Sequence, residues 1–241
     1  MTPADATTPA ATLTVDLPTA LRTTGAVRAF TDRAVDHATI RRILDLARFA
    51  PSGGNQQPWH VVVVDDPTLR SGLGVLITET AREYVTLAGA GVRPFGLTDH
   101  GRWPGPGDVD LAAARRDAPD VPAFAALADA PVVLAVLVRL GSLAAVDAEL
   151  DRHGLVGGAS IYPFCWNVLL AARTEGLGGV LTTFAVRREP EALALLGAPE
   201  GWAVAAVLSL GEPATQVTRL TRRTVDEFTS LDRFDGPSLR P

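Results

Sequence analysis

The pattern of apolar and polar residues predicts helices and strands that alternate along the chain. In residues 36–50, apolar side chains recur at helical spacing and charged side chains occupy the opposite face. Asp36 is a suitable N-cap for this helix, and Pro51 marks its end. The same reasoning predicts helices over 69–90, 159–175 and 189–196, strands over 60–64, 131–138 and 203–210, and a strand or turn over 180–184.

These segments predict an α+β fold with few strands and a heavy helical cover. The β-branched run in 60–64 is continuous rather than alternating, as expected for a strand covered on both faces. No repeat or strong domain boundary is visible. We therefore expect one domain over residues 19–241, preceded by a flexible Ala-, Thr- and Pro-rich tail (1–18) and ending in a polar, Arg-rich arm (214–241).

Two segments stand apart from this pattern. The helix predicted over 159–175 is apolar on nearly every face, which indicates a position in a core or an interface. Residues 91–122 are rich in proline and glycine, which disfavour long regular structure. Loops of this length are usually lids or disordered segments. We treat 91–122 as a variable, lid-like insertion.

Composition removes several function classes. The net charge of −5 and the lack of a long basic stretch argue against nucleic-acid binding. The longest apolar run, 130–138, is too short to span a bilayer, and the first residues lack the features of a signal peptide. Cys165 is the single cysteine, so no internal disulfide forms, and we expect an inert buried thiol. These features predict a cytoplasmic protein. The scattered histidines predict no metal site.

Three stretches carry a specific motif. The first runs from Val27-Arg28-Ala29-Phe30 to the loop Pro51-Ser52-Gly53-Gly54-Asn55-Gln56-Gln57-Pro58-Trp59. The second is Gly176-Leu177-Gly178-Gly179-Val180-Leu181-Thr182-Thr183, and a third, weaker match is Arg222-Arg223. Together they resemble the nitroreductase family of FMN enzymes, over residues 22–225. The resemblance implies a nitroreductase-like fold: a central, mostly antiparallel sheet flanked by helices, in an intertwined homodimer.

The resemblance also implies which residues bind FMN. Arg28 would contact the pyrimidine edge or the ribityl phosphate of the flavin, and Arg222 would pair with the phosphate, as arginine forks do. Pro51, Ser52 and Gly53 would line the flavin from the partner subunit, while Asn55 and Gln57 would hold the loop or reach the flavin. Leu181, Thr182 and Thr183 would face the ring. Turn-forming, strand-forming or solvated roles remain open for these residues.

One departure from the family pattern concerns the phosphate. The family often carries Arg-Arg-Ser or Arg-His-Ser immediately before the position of Arg28, where this chain has Thr24, Gly25 and Ala26. Arg22, Arg222 or Arg223 would have to replace the lost charge, or FMN would bind more weakly. A different flavin-like cofactor is a further alternative.

The implied function is transfer of reducing equivalents from NADH or NADPH, through FMN, to a small organic acceptor such as a nitroaromatic or a quinone. A biosynthetic flavin oxidase or dehydrogenase with a dedicated substrate is one alternative, and a flavin-sequestering protein without turnover is another. We expect no indispensable catalytic side chain because the flavin carries the chemistry. Residues 91–122 would cover the flavin and select the acceptor through Phe95, Trp103 and Arg102, or form only a solvated connection.

Overall fold

The computed structural model describes residues 15–239. Within that range the helices are α1 (Leu17–Thr23), α2 (His37–Ala47), α3 (Pro67–Gly89), α4 (Leu111–Asp117), α5 (Pro122–Ala125), α6 (Tyr162–Thr174) and α7 (Glu189–Leu196). The strands are β1 (Trp59–Val63), β2 (Val132–Arg139), β3 (Gly178–Thr182) and β4 (Trp202–Gly211). Every element predicted from the pattern is confirmed, with ends shifted by a few residues, and the segment after residue 180 forms a strand.

The four strands form one antiparallel sheet in the order β1-β2-β4-β3, which confirms the predicted α+β fold. β2 and β4 lie in the centre and are almost entirely buried. β1 lies at an edge and its valines are half-buried, with Val61 and Val63 packed on one face of the sheet and Val62 on the other. The expected cover on both faces is confirmed. Whether a strand lies at the edge of a sheet depends on tertiary pairing, so the sequence of a five-residue strand does not predict it.

Helices cover both faces of the sheet. Alternate residues of β2 point to opposite sides, as the period of a strand requires. On one face, α2 and α6 pack on a cluster that includes Ile43, Phe164 and Leu208. On the other, α3 and α7 pack on a cluster that includes Leu73 and Ile77. The helix predicted over 159–175 is thus a core helix, with Tyr162 and Trp166 still exposed.

Two glycines that weaken the sequence signal for α3 are required for packing. A Cβ at Gly72 would lie 2.8 Å from Leu195 of α7, and one at Gly74 would lie 3.0 Å from Ala128. Both distances are tighter than ordinary side-chain contacts. α3 therefore tolerates the helical cost of glycine because its neighbours approach closely.

Residues 91–122 contain one short helix, α4. Asp110 caps α4 by accepting the Ala112 and Ala113 backbone N–H groups, at 2.8 and 3.0 Å. As glycine and proline predict, no long element forms in this part, although a capped seven-residue helix fits between Gly107 and Pro119. α1 begins at Leu17, inside the predicted tail, whose residues 1–14 lie outside the described range.

The C-terminal segment starts as part of the fold. The Ala214 N–H donates to Ala29 O at 3.0 Å, and the Gln216 amide donates to Thr23 O at 3.2 Å. Beyond residue 220 nearly every side chain up to Leu239 is exposed. Among the helices between residues 15 and 239, none combines the length and apolarity needed to span a lipid bilayer.

Candidate functional site

The segment that carries Arg28 is bound to the outer edge of β3. Ala26 forms a parallel bridge with Gly179, and the Val27 N–H donates to Gly179 O at 3.0 Å. Phe30 forms an antiparallel bridge with Pro213. The fold therefore brings the Arg28 end of the first motif together with the second motif and the start of the C-terminal segment.

Arg28 projects beside a small aromatic cluster. Its guanidinium carbon lies 5.7 Å from the centre of the Phe124 ring, within range of a cation–π contact. Phe124 stacks on Phe184 with ring centres 5.1 Å apart, and Tyr84 contacts Phe184 at 5.7 Å. Arg28 is exposed and has no carboxylate partner among residues 15–239. Its charge is thus available to an anionic or electron-rich ligand.

The backbone of β3 is open next to this cluster. On the outer edge of β3, Ala26 pairs only with Gly179. Within residues 15–239, no strand pairs with that edge at Leu181 and Thr182. Unpaired N–H and C=O groups on a strand edge are free to bind a partner. The Thr182 hydroxyl, by contrast, accepts the Phe184 N–H at 3.3 Å. Leu181 is half-buried, Thr182 is buried and Thr183 is exposed.

Gly178 and Gly179 have a packing role that sequence reasoning missed. A Cβ at Gly178 would lie 2.9 Å from Val27, and one at Gly179 would lie 2.6 Å from Ser209 O and collide with Leu210. These glycines let the Arg28 segment and β4 approach β3. The close contacts therefore account for both glycines without a cofactor.

The loop at residues 51–57 is held mostly by its own polar groups. The Ser52 hydroxyl accepts the Gln57 N–H at 2.9 Å, and the Gln57 amide donates to Asn55 Oδ1 at 3.2 Å. Gly54, Asn55 and Gln57 adopt positive φ angles of 57°, 53° and 46°. Such angles are uncommon for residues other than glycine and are tolerated best by asparagine. The side chains of Asn55 and Gln57 thus stabilise the loop. Pro51 and nearly all of the other loop residues are exposed.

One contact fixes this loop to the rest of the chain. The Gly53 N–H donates to the Ser160 hydroxyl at 3.0 Å, just before α6 begins. Ser160 is buried and was not anticipated, because the stretch Gly157-Gly158-Ala159-Ser160 carries no periodic signal. The contact sets the loop beside α6.

The predicted site residues fall into two groups within one chain. Arg28 and Leu181–Thr183 lie at the β3 edge, whereas residues 51–57 lead into β1 at the other edge. Three strand spacings, roughly 14 Å, separate the two edges. Arg222 joins neither group through a described contact, since it is exposed and donates to Thr221 O at 2.8 Å.

A buried carboxylate organises the region that follows β3. Glu83 of α3 is fully buried and pairs with Arg115 of α4 and, at 3.0 Å, with Arg187. The Arg187 guanidinium lies 5.5 Å from the Phe95 ring and 5.3 Å from the Trp103 ring. Glu83 therefore joins residues 91–122 to the connection after β3. The sequence signal for this role is the position of Glu83, a charged residue, on the apolar face of α3.

Two side chains singled out in the sequence have other environments. Arg102 pairs with Asp151 and both side chains are exposed, so its attraction of an anionic acceptor stays a prediction. Cys165 is fully buried, and burial raises the pKa of its thiol to about 12, as expected for an inert core residue.

Comparison with known proteins identifies the fold. The family model described as Nitroreductase family matches residues 21–212. A 5,6-dimethylbenzimidazole synthase from Rhodospirillum rubrum is 30% identical over 222 residues, covering 89% of this chain and 86% of that protein. A nitrobenzene nitroreductase from Ectopseudomonas oleovorans is 27% identical, covering 88% of this chain and 94% of that protein.

Solved structures show the same fold. A BluB-like flavoprotein from Clostridium difficile 630 superposes with a TM-score of 0.64 at 21% identity, covering 91% of this chain and all of the other. An FMN and NADPH-dependent nitroreductase from Sphigopyxis sp. strain HMH gives a TM-score of 0.62 at 23% identity, with 91% of this chain and 100% of that chain covered. The protein is therefore a nitroreductase-family oxidoreductase, and the chain belongs to the nitroreductase family.

Proposed function

We propose that the protein binds FMN and transfers reducing equivalents from NADH or NADPH to a small organic acceptor of the nitroaromatic or quinone type. The observation that carries this proposal is the conjunction of Arg28, the Phe124–Phe184 pair and the open edge of β3 in one place. A cation, an aromatic wall and free backbone groups are what the pyrimidine edge and the ring of a flavin require.

The residues of this chain have distinct tasks in the proposal. Arg28 donates to the flavin where negative charge gathers on reduction, and the backbone of Leu181–Thr183 borders the ring. When bound, FMN supplies the electron-transfer chemistry. The FMN and NADPH-dependent nitroreductase among the structural neighbours supports this choice of cofactor and co-substrate.

The phosphate is the least complete part of this site. Thr24 is buried and its hydroxyl donates to Ala20 O at 2.7 Å, so it does not replace an arginine. A Cβ at Gly25 would meet Leu220 at 3.1 Å, which places the C-terminal segment beside the missing arginines. We propose that Arg222, two residues beyond Leu220, reaches the phosphate when FMN is bound.

We also propose that the protein is a homodimer in which the loop at residues 51–57 completes the partner's flavin site. Two observations support this. The loop lies at the opposite sheet edge from Arg28 within one chain, and the nearby surface exposes large apolar side chains. Phe49, two residues after α2, is 71% exposed, and Trp166 of α6 is 39% exposed. α2 and α6 pack together. Such patches mark protein interfaces.

Sedimentation tests the dimer. At micromolar concentration the protein is expected to sediment with about twice its chain mass. Trp166→Glu should shift it toward the monomer and lower flavin occupancy, because a charge would be buried at the interface. Ala194→Glu on α7, on the opposite face of the sheet, is the matched control. A monomer that retains bound flavin would contradict the proposal.

Residues 91–122 remain a proposed lid over the flavin. Phe95 and Trp103 contact Arg187, four residues after Thr183, which supports a position near the ring. Replacing residues 101–107 with a short Gly-Ser linker should preserve FMN and its reduction by NAD(P)H while changing acceptor preference or oxygen reactivity. Unchanged acceptor kinetics across nitroaromatics and quinones would leave the segment as a connection only.

The cofactor experiment is the main test of function. The purified protein should show a flavin spectrum that bleaches when NADH or NADPH is added without oxygen. Arg28→Ala should lose about 10- to 150-fold in FMN affinity, as expected when one charge-assisted contact is removed. Arg41→Ala, an exposed change on α2, is the control. Unchanged FMN affinity in Arg28→Ala would refute the assignment.

A second candidate is a biosynthetic flavin enzyme with one dedicated substrate. The 30% identity to a 5,6-dimethylbenzimidazole synthase over most of the chain favours it. The two candidates differ in acceptor range. A turnover panel of nitroaromatics and quinones separates them, because a dedicated enzyme should bind flavin fully yet reduce every member of the panel slowly.

A further inference from the structure

A large cleft in the described part of the chain lies beside α3. It has a volume of about 980 Å³ and is bounded by α3, α4 and residues 125–129. This volume is typical of small-molecule sites. The cleft is on the α3 face of the sheet, opposite the face covered by α2 and α6.

The cleft wall is strongly basic for an acidic protein. The chain has a net charge of −5, yet the cleft is lined by five arginines and only two carboxylates. The arginines come from several elements, so their guanidinium groups converge on one space. They are Arg70, Arg82, Arg115, Arg116 and Arg188, and the carboxylates are Glu79 and Asp129.

The arginines of the cleft differ in how far carboxylates compensate their charge. Arg70 donates to three backbone carbonyls, of Val64, Ala130 and Pro131, and its guanidinium lies 3.9 Å from the Asp65 carboxylate. Arg115 shares the single buried carboxylate of Glu83 with Arg187. Arg115 and Arg187 therefore retain one uncompensated charge between them, whereas Arg188 is neutralised by Glu79 and Glu191.

Two further arginines retain unused donors. Arg82 pairs with Asp120, a 92% exposed side chain that does not line the cleft, and its buried Nε has no partner within residues 15–239. Arg116 donates to the Ala112 carbonyl at 3.2 Å and lies 3.8 Å from Asp117, so most of its guanidinium is free. Hydroxyl groups of Ser71 and Thr78 lie on the same wall.

We propose that this cleft binds a phosphate-bearing anion the size of a nucleotide. Arginine forks from several directions match the oxygens of a phosphate or diphosphate. Val75, Ala112 and Ala125 supply an apolar wall for the organic part of the ligand. A concave pocket of this size does not suit a nucleic-acid backbone, which needs an extended basic surface.

Two sources could supply the phosphate. A second, smaller cleft that contains Arg28 shares Arg70 and Asp129 with this one. The diphosphate end of NADH or NADPH is therefore one source, and a separate phosphorylated metabolite is the other. The binding of phosphate itself does not rest on the proposed redox function.

Calorimetric titration of the purified, full-length protein with ADP, NADH and NADPH tests the site. ADP is expected to bind, and its affinity should fall about 10- to 150-fold in Arg116→Glu, the loss expected for a charge-assisted contact. Raised salt should weaken binding in the wild type. Arg41→Glu, on the opposite face of the sheet, should bind ADP as the wild type does.

The outcomes distinguish the sources. A raised KM for NADH or NADPH with unchanged kcat in Arg116→Glu identifies the dinucleotide as the ligand. Loss of ADP binding with unchanged KM identifies a separate phosphorylated metabolite. Absence of ADP and dinucleotide binding in the wild type, or equal affinities in wild type and Arg116→Glu, overturns the proposal. Because ADP binding is measured without turnover, its failure is separate from failure of the redox function.

Discussion

The two edges of the sheet carry the two halves of the family motif, and they are stabilised in different ways. At the β3 edge, backbone segments approach so closely that Gly178 and Gly179 have no room for a Cβ. At the β1 edge, the loop at residues 51–57 is exposed and is held by hydrogen bonds among its own groups. Close packing therefore shapes one half of the site, and local polar contacts shape the other.

The largest expected effect concerns the buried carboxylate behind the β3 edge. Glu83→Leu would leave Arg115 and Arg187 without their shared partner, and removing one member of a buried ion pair typically costs about 3–5 kcal/mol. Urea unfolding should show this loss. Glu79→Leu is the control, since Glu79 is partly exposed and pairs only with Arg188. Equal free energies of unfolding for Glu83→Leu and the wild type would show that these ion pairs make no net contribution to stability.

The next prediction compares a glycine from each edge. Gly179→Ala should destabilise by about 1–3 kcal/mol, because the added methyl would lie 2.6 Å from Ser209 O. Gly53→Ala should change stability by no more than about 0.5 kcal/mol, since its Cβ would lie 3.5 Å from Ser160 Oγ, an ordinary contact. Thermal unfolding of the two variants measures the difference. Similar losses in both would mean that the edges do not differ in packing.

The same contrast explains how much could be predicted from the sequence. Periodicity located α2, α6 and the central strands because burial dictates their apolar residues. It could not place Glu83 or Ser160 at the site, since their roles depend on partners more than 30 residues away in the chain. The motif identified both halves of the site, but only the sheet order showed that they lie at opposite edges.

A smaller effect is expected at the β1 edge from loss of one hydroxyl. Ser52→Ala removes the acceptor of the Gln57 N–H, a contribution of about 0.5–1.5 kcal/mol that water partly replaces at this exposed site. Hydrogen exchange should show faster exchange at the Gln57 amide, with the β3 edge unchanged. Ser71→Ala on α3 serves as the control. Unchanged exchange at Gln57 would contradict a loop held by this bond.

The smallest expected effect depends on pH. It concerns Asp147, in the segment that leads to Ser160, the residue that binds the loop at residues 51–57. The Asp147 carboxylate accepts the Leu155 N–H at 2.7 Å and pairs with Arg152 at 3.0 Å. These contacts, the Leu155 bond foremost, hold the pKa of Asp147 below its ordinary value of 3.8. A folded-state pKa below the unfolded one stabilises the protein fully above the unfolded value, and the contribution fades as pH falls below it.

Asp147→Asn removes this titration while keeping the side-chain shape. The stability difference between wild type and Asp147→Asn should stay constant from pH 8 to pH 5 and shrink below about pH 4. Urea midpoints measured for both proteins at each pH cancel the titration of the other carboxylates, because both chains share them. A difference that persists unchanged down to pH 3 would show that the Asp147 charge does not support this segment. The β1 loop would then depend on its own hydrogen bonds and on Ser160 alone.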